Sequence, residues 1–64
     1  MIRWLSRSVT IDGKPLGLSI VEVHDGGEIS VRPFVKEEEA VRYTDKAIEI
    51  KHVNDRPVMT FVEL

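Results

Sequence analysis

A chain of 64 residues has room for one domain and one core, and its lack of cysteine removes disulfides and thiolate metal sites as supports for that core. With 9 Lys and Arg against 11 Asp and Glu, the formal net charge is -2, so no basic excess exists to neutralise phosphates and nucleic acid is a disfavoured partner. The 42% hydrophobic share belongs to a globular chain rather than a disordered one.

In chain order, the opening Met1-Ile2-Arg3-Trp4-Leu5-Ser6-Arg7 is broken by charge too early for the apolar core of a signal peptide. No later stretch approaches the ~20 apolar residues needed to cross a bilayer as a helix. The expectation is a cytoplasmic protein with no membrane partner. Three clusters of turn residues follow, Asp12-Gly13-Lys14-Pro15, Asp25-Gly26-Gly27 and Asn54-Asp55-Arg56-Pro57. Each joins two runs rich in Val, Ile, Thr and Phe, which reads as strand, turn, strand. The runs are Ser8–Ile11, Gly17–His24, Glu28–Val35, Ala47–Val53 and Val58–Glu63. Short connections favour antiparallel pairing between successive strands.

The Asp25-Gly26-Gly27 turn fixes a register. A three-residue loop, a type I turn closed by a left-handed glycine, sets Val23 opposite Ile29, Val21 opposite Val31 and Ser19 opposite Pro33. One face then carries Val21, Val23, Ile29 and Val31, and a one-residue slip would scatter that set. The last hairpin is open: Ile48, Ile50 and His52 share a face that can oppose either Val58, Thr60 and Val62 or Met59 and Phe61. Between the hairpins, 36–46 lacks alternation and begins with good helix formers. It reads as a short helical turn near 37–43, with Val41 inward, or as an irregular charged loop.

Apolar residues occupy both parities of two strands, Leu18 and Ile20 beside Val21 and Val23, then Val58 and Val62 beside Met59 and Phe61. A sheet with one wet face alternates more cleanly, so both faces want cover. That cover is the N-terminal Ile2, Trp4 and Leu5, the 36–46 segment, or a second copy of the chain. The expected fold is a single mainly β domain over 1–64: a five-stranded antiparallel meander, curled, or closed into a small barrel with the strand count of SH3-like and OB-like folds.

Catalytic chemistry finds little support. Ser6, Ser8, Ser19 and Ser30 lie in no nucleophile elbow, and so short a chain lacks depth for a drug-sized pocket, so neither an enzyme nor a small-molecule substrate is expected. Asp25-Gly26-Gly27-Glu28 is flanked by acids that repel phosphate and reads as a hairpin turn. The run Glu37-Glu38-Glu39 reads as a solvated face. His24 and His52, each near Asp25 or Asp55, would make a two-histidine metal site only if their strand ends met, and no ligand spacing supports it, so no cofactor is expected.

Two surfaces remain. Val58, Met59, Phe61 and Leu64 form an apolar C-terminal run suited to a protein partner or a homo-oligomer. Arg32 and Phe34, with Trp4, Tyr43, Phe61, Arg3, Arg7 and Arg42, make an alternative stacking surface for single-stranded nucleic acid. The first is the leading expectation, a non-catalytic interaction module.

Overall fold

A computed structural model describes residues 1–64 as six strands and no helix. They are β1 (Ile2–Ile11), β2 (Lys14–Val23), β3 (Ile29–Pro33), β4 (Val41–Tyr43), β5 (Ala47–Val53) and β6 (Arg56–Val62). The sheet order is β3-β2-β1-β5-β6, with β4 also paired to β1. The β1–β2, β2–β3 and β5–β6 pairs are antiparallel. Along its other side β1 runs parallel to β4 through Arg3–Leu5 and to β5 through Val9–Ile11. The sheet is therefore mixed and open, which corrects the expected antiparallel meander and the closed barrel. A parallel seam arises because β1 meets strands distant in sequence, where the need for short connections does not apply.

The hairpins follow from their turn residues. Asp12 and Gly13 take φ 49° and 82°, and Asn54 and Asp55 take 53° and 62°, left-handed at both central positions as a type I′ turn requires. The β2–β3 hairpin adopts the expected register, with Val23, Val21 and Ser19 opposite Ile29, Val31 and Pro33. Gly27 (φ 87°) closes its loop, and the His24 N–H donates to the Glu28 carbonyl at 2.8 Å. In the last hairpin the two-residue loop decides the open choice: Ile50 opposes Met59 and Ile48 opposes Phe61.

β1 is a ten-residue strand with a corner in it. The β1–β2 register slips between Ser6 and Val9, then again where Val9 faces Gly17 and Thr10 faces Pro15. The first slip is a bulge: an extra residue in β1 returns Val9 to the face that carries Trp4. Without it, strand parity would turn Val9 outward. Ser6 holds the bulge. Its buried hydroxyl accepts the Ser8 N–H at 3.2 Å and donates to the Lys46 carbonyl at 2.8 Å.

Bent there, the sheet folds its inner face together. Val9, Val21, Ile48 and Ile50, all nearly or fully buried, form the core, flanked by Trp4, Ile11, Ile29, Val31 and Met59. Trp4 meets Phe61 edge-on at 5.0 Å between ring centroids, a favoured aromatic geometry. The outer face is covered over part of its width. Leu5 and Ile20, paired across β1 and β2, are buried there.

The connection from β3 to β4, residues 34–40, crosses that outer face. Glu38 reaches back to Arg32 with both carboxylate oxygens, which pins the crossing chain over β2. Seven residues reach up to ~23 Å when extended, against ~14 Å for three strand spacings. The expected helical turn near 37–43 does not form. Ala40 instead takes φ 59°, a left-handed turn that ends any helix, and Val41-Arg42-Tyr43 pairs with the open side of β1. Backbone pairing outweighs a helix too short to stand alone.

Candidate functional site

Edges are where this sheet can make further contacts, and strand parity states which backbone groups they offer. In a two-residue hairpin the pair flanking the loop exchanges both hydrogen bonds, and bonded pairs then alternate. Val53–Arg56, Lys51–Val58, Glu49–Thr60 and Ala47–Val62 are accordingly the bonded pairs of β5 and β6. Pro57, Met59 and Phe61 turn their backbone outward. No backbone hydrogen bond outside the strand ladders involves β6. Met59 and Phe61 therefore each present a free N–H and a free carbonyl at the edge.

The same parity applied to β3 turns Ile29, Val31 and Pro33 outward. Both long edges thus carry a proline at an outward position, where a missing N–H costs the sheet nothing and shortens the pairing surface. β3 continues directly into the connection pinned by Arg32 and Glu38, and β4 has only three residues. β6, seven residues long, is the broadest free edge.

Side chains of β6 divide cleanly. Met59 is half-buried against the core, and Phe61 leans on Trp4 while keeping 38% of its surface exposed. On the outer face Val58, Thr60 and Val62 stand in solvent, the valines 47% and 42% exposed. Leu64 lies past the strand, exposed. The four expected apolar residues are thereby gathered at one edge but not on one face, since Met59 and Phe61 point in and Val58 points out. Val62 and Thr60 complete the outer row. Their parity signal was present in the sequence, but only the hairpin loop length assigns it.

Arg32 and Phe34 are placed elsewhere, at the end of β3. Phe34 is half-buried and donates its N–H to the Leu18 carbonyl at 3.4 Å. Arg32 grips Glu38 in a two-point pair and approaches Glu22 at 3.7 Å, while Arg3 donates to Glu22 at 2.8 Å. Arg3 holds the Glu22 carboxyl below its ordinary pKa, and Arg32 does the same for Glu38; Glu38 in turn raises the Arg32 guanidinium. Arg42 sits 5.7 Å from the centre of the Trp4 ring. Of the arginines counted toward a nucleic-acid surface, Arg3 and Arg32 are thus committed to carboxylates and Arg42 to an aromatic face.

The histidines take separate partners. His24 meets the Ser30 hydroxyl at 3.0 Å, and His52 Nδ1 meets Asp12 Oδ2 at 2.7 Å. Asp12 also accepts the His52 backbone N–H at 2.9 Å, and that bond, with the imidazole contact, lowers its carboxyl pKa. No group of three His, Cys, Asp or Glu side chains stands within reach of a common metal ion. Sequence reasoning paired His52 with Asp55; the left-handed Asp12 turn supplies the carboxylate instead, from across the β1–β5 seam.

Clefts are shallow. One of about 360 Å³ lies on the outer face between Leu5, Leu18, Tyr43 and Asp45. Another of about 450 Å³ separates the Gly26-Gly27-Glu28 turn from Arg56 and Pro57. No protein-family model, curated protein or solved structure matches this chain.

Proposed function

We propose that this chain is a non-catalytic interaction module that self-associates through its C-terminal edge strand, β6. One observation carries this: β6 combines unpaired outward backbone groups at Met59 and Phe61 with an exposed apolar row at Val58 and Val62. An edge with free N–H and carbonyl groups is a template for another strand, and valines beside it supply the surface whose burial favours pairing.

Magnitudes set the expected strength. Each added backbone hydrogen bond contributes about 0.5–1.5 kcal/mol net. Association costs about 4–15 kcal/mol in lost translational and rotational freedom. The bonds and two valine pairs together are of the same order as that cost, so pairing is weak, in the high-micromolar to millimolar range.

Sedimentation equilibrium of the intact protein, from micromolar to millimolar concentration, tests it. The expected mass rises from monomer toward dimer across that range. Replacing Val58 and Val62 together by Glu leaves the core untouched and holds the mass at monomer, because like charges are then set on the pairing edge. A wild-type chain that stays monomeric at millimolar concentration overturns self-association.

A further inference from the structure

The β6 edge is complementary to itself about one residue. Reading outward from Thr60, the neighbours are Met59 and Phe61, then Val58 and Val62: backbone-offering residues of similar bulk at one distance, exposed valines at the next. A two-fold axis requires this of a surface, since residue i must meet j while j meets i. From this we infer that a second copy of the chain pairs antiparallel along β6, with the symmetry axis passing at Thr60. The inference rests on the self-association proposed above and adds its geometry.

Register follows from counting groups. With the axis at Thr60, Met59 faces Phe61 of the second copy and exchanges both hydrogen bonds with it, as does the symmetry mate. Every free N–H within the two β6 strands is then satisfied. Moving the axis to Met59 sets Phe61 against the outward side of Pro57, where no N–H exists to meet its carbonyl. Moving it to Phe61 sets Met59 against Glu63, beyond the end of β6, and leaves Phe61 with its own copy as the only bonded pair within the two strands. The Thr60 register alone also sets Val58 against Val62, turning two exposed patches into one covered row. Thr60 meets its own copy in a non-hydrogen-bonded pair, the closer kind, with Cα atoms ~4.5 Å apart.

That closeness gives the test, because the chain has no cysteine of its own. Thr60→Cys, Val58→Cys and Val62→Cys are made singly and equilibrated in a glutathione redox buffer, and the disulfide-linked dimer is measured. All three positions are exposed on one face of one strand, so their intrinsic reactivity is similar. Only position 60 opposes itself at disulfide distance, which predicts at least about a tenfold excess of linked dimer for Thr60→Cys through its higher effective concentration. Equal linking at the three positions, or preference for 58 or 62, overturns this register while wild-type sedimentation still reports self-association. A monomeric wild type overturns both.

Discussion

Asp12 does more than turn the chain. Its left-handed backbone closes the β1–β2 hairpin, its carboxylate accepts both the His52 N–H and the His52 ring, and its own N–H donates to the Ile50 carbonyl at 2.8 Å. One residue thereby fastens the tip of β1 to β5. The depressed pKa of Asp12 sets the sign of its pH dependence. A carboxylate whose folded pKa lies below its unfolded value stabilises the fold above the unfolded pKa, about 4 for Asp. That contribution is lost as pH falls through the lowered folded value. Asp12→Asn keeps a residue that tolerates the left-handed turn and retains an oxygen for the His52 N–H, but removes the charge. The urea midpoint of the variant is therefore expected to lose less than wild type between pH 5 and pH 3, by about the carboxylate's share. Parallel acid limbs for the two proteins would show that Asp12 carries no titration-linked stability. The turn at Asp12-Gly13 was plain in the sequence; its link to His52 was not, because 40 residues separate the pair and only the β1–β5 seam joins them.

At the scale of elements, local chemistry was legible and long-range pairing was not. Gly27 announced the β2–β3 loop and with it a complete register, because one turn type leaves one way to keep Val21, Val23, Ile29 and Val31 together. The N-terminal half of β1 was hidden by Arg3 and Arg7, which break the apolar pattern, and β4 was hidden behind helix formers. The first forms along β2, and β4 then pairs with the side of β1 that β2 leaves open. The bulge at Leu16-Gly17 of β2 was equally silent: Gly17 looked like the start of a run, whereas its φ of 73° absorbs the second register slip of the β1–β2 ladder. A side chain built there meets no neighbour, so Gly17→Ala carries only the backbone penalty of the left-handed region, about 1–2 kcal/mol. Ala40 is the mirror case, a residue with a Cβ in the same region, and Ala40→Gly is expected to gain about 1 kcal/mol by relieving it. Urea denaturation of the two variants should show midpoints displaced in opposite directions. Displacement in the same direction would mean that the turns, not their conformation, tolerate or reject the change.

For the whole molecule, the doubly apolar strands anticipated burial on both faces, and the fold meets that only in part: Val21 is buried inside the bend and Ile20 on the outer face beside Leu5, whereas Leu18, Val58 and Val62 stay exposed. The sheet does not close into a barrel, and the 34–40 chain is held to the outer face where Glu38 grips Arg32. Only 8 of 64 residues are buried, however, a thin core for a chain with no covalent staple. A second copy on β6 would add stability that depends on concentration, because a partner that binds only the folded chain shifts unfolding by mass action. Above the dissociation constant, free monomer rises with the square root of total protein, so each tenfold increase adds about 0.7 kcal/mol per chain. In a domain of this size 1 kcal/mol moves the thermal midpoint by about 4–8 °C. Wild-type protein is accordingly expected to melt about 3–6 °C higher for each tenfold rise in concentration in that regime. Calorimetry of the chain carrying Glu at 58 and 62 should give a midpoint independent of concentration, below that of concentrated wild type. Were the wild-type midpoint itself fixed up to millimolar protein, the thin core would suffice alone and β6 would be an edge that stays unpaired.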